Sequence, residues 1–271
     1  MVNEFVKNIL VKEICEITYT MWNLGWDEKN GGNISVILED NLVDGFSVLD
    51  KELIKLKNIP QNLLGKSILI TASGSSFKSI KEHPEKDLGV ITIESDGYRI
   101  IWGFKNDSEP TSEIYMHLLS HSARLEQDST HRVVIHNHAT DVLKMTFVHE
   151  LDDYRFTRSL WGMITECVVV FPDGVSVLPW MLCGNEAIGL RTAEKLEKSR
   201  IVVWAYHGIL ATGSSIKDAF GLIETVNKAA KIYCETLEHR INPGITDNDL
   251  VKVCQYFGII PREDFLKLSH S

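Results

Sequence analysis

Apolar positions along the chain follow two periods, and each period predicts a different element. Leu10, Ile14, Ile17 and Met21 step by four, three and four. That spacing lines one face of a helix, which should stop near Gly25. Asn30-Gly31-Gly32-Asn33 then breaks the backbone, and Ile34, Val36 and Leu38 alternate with other residues as in a half-buried strand. Residues 67–71 read as a short buried strand that runs into the polar loop Ala72-Ser73-Gly74-Ser75-Ser76. Residues 89–94 and 98–103 read as strands flanking Ser95-Asp96-Gly97, a hairpin signal. A helix should open at Glu109-Pro110-Thr111-Ser112-Glu113, with Ile114, Leu118, His121 and Leu125 on one face. Residues 133–138 alternate as a strand. Residues 167–171 are expected as another, turning at Pro172-Asp173-Gly174 into residues 175–178. Residues 184–198 are helical, 201–206 form a buried strand ending at His207-Gly208, 215–239 a long helix, and 246–257 a capped last one. Residues 42–66 show no clear period.

Six to nine strands with helices between them, several joined as hairpins, predict an α/β sandwich whose sheet is mainly antiparallel. No repeat, low-complexity tract or linker interrupts the sequence, so residues 1–271 are expected to form one domain.

Composition narrows the function. With 44% hydrophobic and 24% charged residues, the 271-residue chain is an ordinary globular one. Its net charge of −9 disfavours nucleic acid and anionic lipid as partners. A small anionic ligand would therefore have to be captured by neutral donors in a pocket. The five cysteines, at 15, 167, 183, 234 and 254, form no CxxC pair, which argues against a disulfide framework or a cysteine zinc site. Glu4 and Glu13 interrupt the apolar opening stretch, and no apolar run approaches the ~20 residues of a membrane span. A soluble, cytoplasmic protein is expected.

The strongest chemical signal is His136-Asn137-His138. Residues two apart on a strand share a face, so the two imidazoles can share one cation. His207, also at a strand end and followed by Gly208, is the candidate third ligand of a zinc site with an open position. Glu113, His117 and His121 share a helical face but do not form HExxH, and the two histidines are read as packing positions. Glu113 stands in the first turn of its helix, where it is either a capping-box acid or a general base beside a metal. Asn30–Asn33 and Ser73–Ser76 offer backbone nests for phosphate, with Thr111 and Ser112 as a third wall. GxxxxGK[ST] is absent, which argues against a nucleotide.

These residues lie within longer stretches that bring a family into view: residues 25–33 (Gly-Trp-Asp-Glu-Lys-Asn-Gly-Gly-Asn), Pro110–Glu113, the His136/His138 strand, residues 165–174, Leu178-Pro179-Trp180-Met181 and residues 204–208. Along nearly its whole length the sequence resembles the class II aldolase/adducin superfamily, in particular its branch acting on L-rhamnulose 1-phosphate. The resemblance implies a three-layer α/β/α sandwich and a homotetramer with sites at subunit interfaces. It implies one Zn2+ per subunit on His136, His138 and His207. It implies Glu113 as the acid that swings between the empty metal and the reacting carbon, and Glu166, contributed by a neighbouring subunit, as a second acid/base group. Phosphate binding would fall to Asn30, Asn33, Ser73, Gly74, Ser75, Thr111 and Ser112. Ser75 stands where the family pattern carries a lysine, and Lys78 is the alternative cation. The implied reaction is retro-aldol cleavage to dihydroxyacetone phosphate and L-lactaldehyde in L-rhamnose catabolism. L-fuculose-phosphate cleavage, L-ribulose-5-phosphate 4-epimerisation and a non-catalytic adducin-like scaffold are the alternatives.

Overall fold

Residues 5–43, 46, 52–239 and 241–268 are described by the structure, a computed structural model. In chain order the strands are β1 (Asn33–Ile37), β2 (Ile54–Lys55), β3 (Ser67–Thr71), β4 (Leu88–Glu94), β5 (Gly97–Gly103), β6 (Val133–Asn137), β7 (Ser176–Leu178), β8 (Ile201–Trp204) and β9 (Gly208–Gly213). They form one sheet in the order β2-β5-β4-β3-β1-β6-β9-β8-β7. Every adjacent pair is antiparallel except β7 with β8. The helices are α1 (Ile9–Asn23), α2 (Asp40–Val43), α3 (Phe77–Glu82), α4 (Pro84–Asp87), α5 (Ile114–Gln127), α6 (Thr140–Val148), α7 (Asp153–Trp161), α8 (Glu166–Val170), α9 (Glu186–Leu196), α10 (Ile216–Thr236) and α11 (Asp247–Phe257).

Alternation sorts each strand between two helical layers. Ile34 and Val36, Leu69, Val133 and Ile135, Val203, Ile209 and Ala211 share one core with α1, α6, α7, α8, α10 and α11. The opposite face has two cores. Ile37, Ile68, Ile70, Ile91, Ile93 and Ile100 pack on Ile114 and Leu118 of α5. Val134, Val202, Trp204 and Leu210 pack with Met116 of α5 and with Ile188 and Leu196 of α9. One β-bulge breaks the period. Val90 pairs with Trp102 and Ile91 with Ile100, so Ile101 is the extra residue and faces the same core as Trp102. The result is a three-layer α/β/α sandwich with a mainly antiparallel central sheet, as expected.

Four readings of the sequence change. Strand β1 is buried at all five positions rather than on one face, because it lies in the middle of the sheet with helices on both sides. Residues 167–171, expected as a strand, instead fall in helix α8 (Glu166–Val170) and its C-cap, Phe171. Three consecutive valines favour a strand, but packing against α10 and α11 overrides that propensity. His207 does not simply end a strand. It stands in the tight turn of the β8–β9 hairpin, whose second strand was not anticipated. Helices α3, α4, α6 and α7 also went unread. Of the period-less stretch 42–66, the described part holds β2 and a 3-10 turn at Gln61–Leu63, while residues 44, 45 and 47–51 lie outside the described residues, as does Glu4.

Candidate metal centre and substrate pocket

The site forms where central strands end. β6 delivers His136 at its fourth residue, and His138 follows just past its end. The β8–β9 turn delivers His207, whose N–H donates to Trp204 O at 3.0 Å. The preceding Tyr206 has φ 63°, a left-handed conformation that a bulky side chain adopts only under constraint. The three rings stand 5.2, 5.0 and 5.1 Å apart, centroid to centroid, and one nitrogen from each lies within 4.8 Å of the others. Trp204 walls the group, 4.6 Å from His136 and 5.1 Å from His207.

Hydrogen bonds assign the tautomers. His136 Nδ1 lies 3.0 Å from the carbonyl of Ile209, an acceptor, so Nδ1 carries the proton and Nε2 presents its lone pair. His138 Nδ1 lies 2.5 Å from Glu28 Oε1, which directs its Nε2 outward in the same way. Burial drives the pKa of His136 well below the usual value, and that of His207 down to about 4. Neutral imidazoles are the form a metal requires.

Backbone proximity makes glycine necessary at two positions. A Cβ on Gly208 would stand 2.4 Å from Asn137 O and 3.0 Å from both the His136 and His138 rings. A Cβ on Gly31 would stand 2.7 Å from the His138 ring. Three imidazole nitrogens in this cradle suit a borderline divalent ion with a fourth position left open.

Glu113 sits at the metal side of the pocket, with Oε2 3.8 Å from His136 Nε2. It occupies the N-cap position of α5, yet its side chain makes no capping bond, so the capping-box reading does not hold. Thr111 Oγ1 instead accepts from the Glu113 N–H at 3.3 Å. The carboxylate is held by Asn33, whose Nδ2 donates to Oε2 at 2.7 Å. Burial raises the Glu113 pKa, while the Asn33 bond and the nearby His138 pull it back.

Behind Asn33 runs a chain of hydrogen bonds with a single consistent direction. Asn33 Nδ2 faces a carboxylate, so Oδ1 is the atom that meets His117 Nε2 at 2.6 Å, and that nitrogen must carry a proton. His117 Nδ1 therefore accepts from Ser35 Oγ at 2.6 Å, and Ser35 in turn accepts from His121 Nε2 at 2.7 Å. Both histidines are fully enclosed. Burial holds His117 well below its usual pKa and His121 at about 3, so both are neutral. They are packing positions, as expected, and they also orient the residue that holds Glu113.

The pocket, ≈ 260 Å³, brings together Asn30, Asn33, Ser73, Gly74, Thr111, Ser112, Glu113 and the three histidines. Among the described residues no Lys or Arg lines it, in keeping with a site of neutral donors. Its loops are tied to each other. Ser73 N donates to Glu109 O at 2.8 Å, Thr111 N to Thr71 O at 3.0 Å and Phe77 N to an Asp27 carboxylate oxygen. Two expected residues stand elsewhere. The Ser75 hydroxyl donates to Ala72 O at 2.7 Å, and Ser75 does not line the pocket. Glu166 is exposed in the first turn of α8, away from this chain's pocket. Lys78 does not replace a loop cation, since its ammonium lies over the Trp22 ring at 4.8 Å. Glu28 and Cys183 were missed as site residues. Glu28 lay in plain view within the 25–33 stretch, whereas an isolated cysteine carries no spacing signal.

Comparison with known proteins identifies relatives of the whole chain. Residues 12–234 match the family model described as Class II Aldolase and Adducin N-terminal domain. A rhamnulose-1-phosphate aldolase of Listeria welshimeri is 47% identical over 263 residues, covering 95% of each chain. One of Enterococcus faecalis is 42% identical, covering 95% of this chain and 94% of its own. Among solved structures, a sugar-phosphate aldolase from Thermotoga maritima superposes with a TM-score of 0.72 at 27% identity, covering 86% of this chain and 97% of that one.

Proposed function

This chain belongs to the class II aldolase and adducin family, and we propose that the pocket between His136, Glu113 and Ser73 is its active site. The chain is an aldehyde-lyase of L-rhamnose catabolism, cleaving L-rhamnulose 1-phosphate to dihydroxyacetone phosphate and L-lactaldehyde by a retro-aldol reaction. The observation that supports placing the chemistry here is the gathering of three imidazole nitrogens beside a buried carboxylate.

His136, His138 and His207 would hold one Zn2+ per subunit. Such an ion supplies Lewis-acid stabilisation of the negative charge that develops as the C3–C4 bond breaks. The protein's own residues do the rest. Glu113, biased toward its protonated form by burial, delivers a proton to C3 of the three-carbon fragment. Asn33 and the His117–Ser35–His121 chain fix the carboxyl for that transfer. Ser73, Gly74, Thr111 and Ser112, with Asn30, grip the phosphate through neutral donors, and that remote binding orients the ketose. Asn33 is committed to Glu113 and His117, and Ser75 to Ala72, so both support the pocket rather than ligate phosphate.

The residues 1–271 act as one catalytic domain within a homotetramer. Phe147 and Tyr206, rings 4.8 Å apart, are both exposed directly beside His207, an apolar surface suited to a second subunit. Glu166 faces away from its own pocket and would serve a neighbour's, accepting the C4 hydroxyl proton. No helix among the described residues is long and apolar enough to cross a membrane, and the enzyme works in the cytoplasm.

A coupled assay for dihydroxyacetone phosphate, run with and without chelator on rhamnulose, fuculose and ribulose phosphates, tests the reading. Chelator-sensitive triose release from the rhamnulose ester is expected. A five-carbon product left intact would point to epimerisation, and turnover undiminished in metal-free protein would remove the metal. His207→Ala should lower bound zinc per chain, and full occupancy by metal analysis would place the third ligand elsewhere.

A further inference from the structure

Asp27 is a buried acid that the proposed chemistry does not use, and its neighbours in sequence hold the metal ligand His138. Trp26 O accepts from the His138 N–H at 3.0 Å, and Glu28 Oε1 meets His138 Nδ1 at 2.5 Å. Trp26 is itself buried, and its N–H donates to Met21 O of α1 at 3.0 Å. The Asp27 carboxylate reaches the phosphate loop instead. Its Oδ2 accepts from the N–H of Phe77, the first residue of α3, where the chain leaves the Ser73–Ser76 loop. Its Oδ1 has no hydrogen-bond partner among the described residues. A second contact joins the same two places. A Cβ on Gly32 would stand 2.7 Å from the Phe77 ring and 2.9 Å from His136 O, so that ring is packed against the backbone beside another metal ligand.

We propose that Asp27 is a positioning residue that couples the phosphate subsite to the metal subsite, by fastening the end of the Ser73–Ser76 loop to the strap of residues 26–28 that holds His138. The inference rests on the metal and phosphate readings above and adds the link between them. A charged acceptor makes a hydrogen bond roughly twice as strong as a neutral one, so the fastening is stiff. Its counterpart is the desolvation of Oδ1, which gains no partner for being buried. Coupling follows from the connection. An ion on His138 fixes the strap, and the fixed strap holds the Phe77 N–H, and the loop before it, in the form that presents Ser73 and Gly74 to an anion. A phosphate on that loop fixes the strap from the other end. Binding free energies are linked, so each ligand strengthens the other by the same factor. Asp27 does not line the pocket, and it acts only through the strap and the loop.

Ethyl phosphate, an anion with no hydroxyl to offer the metal, tests this on the full chain. Zinc affinity is measured by chelator competition with and without saturating ethyl phosphate, and ethyl phosphate affinity with and without zinc. Ion and anion also attract through space in every variant, so the readout is the enhancement relative to Asp27→Ala. It should be about fivefold larger in the unaltered chain, and the same in both directions of measurement. A merely structural loss would lower both affinities without changing the enhancement. Asp27→Asn keeps an acceptor for the Phe77 N–H and should keep most of the effect. Equal enhancement in the unaltered chain and in Asp27→Ala, or a loss in Asp27→Asn as large as in Asp27→Ala, overturns the proposal. Hydrogen–deuterium exchange needs no variant. Zinc should slow exchange of the amides of residues 73–79 in the unaltered protein, and unchanged rates there would overturn the proposal as well. Failure of the unaltered chain to bind zinc, or to bind ethyl phosphate, would instead defeat the reading on which it rests, and the proposal with it.

Discussion

Ser35→Ala isolates the hydrogen-bond chain behind Glu113. Ser35 is fully buried in β1, where its hydroxyl donates to His117 Nδ1 at 2.6 Å and accepts from His121 Nε2 at 2.7 Å. Removing one oxygen leaves a buried acceptor and a buried donor unpaired. Each such group costs roughly 1–3 kcal/mol, so ~2–6 kcal/mol of stability should be lost together. That is a large share of the ~5–15 kcal/mol of an ordinary folded chain. In urea, with a slope of ~3 kcal/mol per molar, the midpoint should fall by roughly 0.7–2.0 M. The comparison must be made at one protomer concentration, since subunit association shifts the apparent midpoint. A double variant makes a sharper claim. His121→Phe should cost less in the Ser35→Ala background than alone, because the group orphaned by the loss of Ser35 disappears with it, a coupling of ~0.5–3 kcal/mol. A loss below ~0.5 kcal/mol for Ser35→Ala, or additive costs in the double variant, would refute the hydrogen bonds assigned to Ser35. Turnover should fall as well, since His117 no longer fixes Asn33.

Three other perturbations reach the site by different routes. Glu113→Ala should retain zinc by metal analysis while kcat falls about 10²–10⁴-fold, and near-normal turnover would remove Glu113 from the proton transfer. Gly208→Ala forces a Cβ to within 2.4 Å of Asn137 O, so the β8–β9 turn must shift. Metal content and thermal midpoint should drop together, and unchanged values would show that the turn relaxes freely. Asp27 is buried, one carboxylate oxygen has no hydrogen-bond partner, and burial raises its pKa to about 6. The folded state therefore binds its proton more tightly than the unfolded chain does. Stability from this group is present below about pH 4 and declines as pH rises to about 6, by at most ~3 kcal/mol. Asp27→Asn should flatten that part of the stability–pH curve, and an unchanged slope would show that another group carries it.

The sequence by itself determined most of the framework. Period-two alternation in residues 34–38 and 133–138, and the short apolar run within 67–71, marked strands that do sit in the centre of the sheet. The helical spacing from Leu10 to Met21 marked a helix that does bury that side, with Val11, Ile14, Thr18 and Met21 inside. His136 and His138 were legible because ligand spacing on one strand is a local property. Glu113 was legible as a candidate because helix starts carry local signals, but its alternative as a capping acid was excluded only by seeing where the carboxylate points.

What tertiary structure alone decided depends on contacts between residues distant along the chain. Alternation reports that a strand has two faces. It does not report whether a second layer covers the polar one, so β1 was read as half-buried until α5 was seen to place His117 and His121 against Ser35. Strand propensity in residues 167–170 yielded to the helices that pack on them. Glu28, 110 residues from His138, and Cys183, 70 residues from Glu113, enter the site only because β1, β6, α5 and the turn before α9 end at the same edge of one sheet. Local pattern selects elements, because short-range sterics and burial are written residue by residue. The meeting of particular side chains depends on register and layer order, which only the packed sheet fixes.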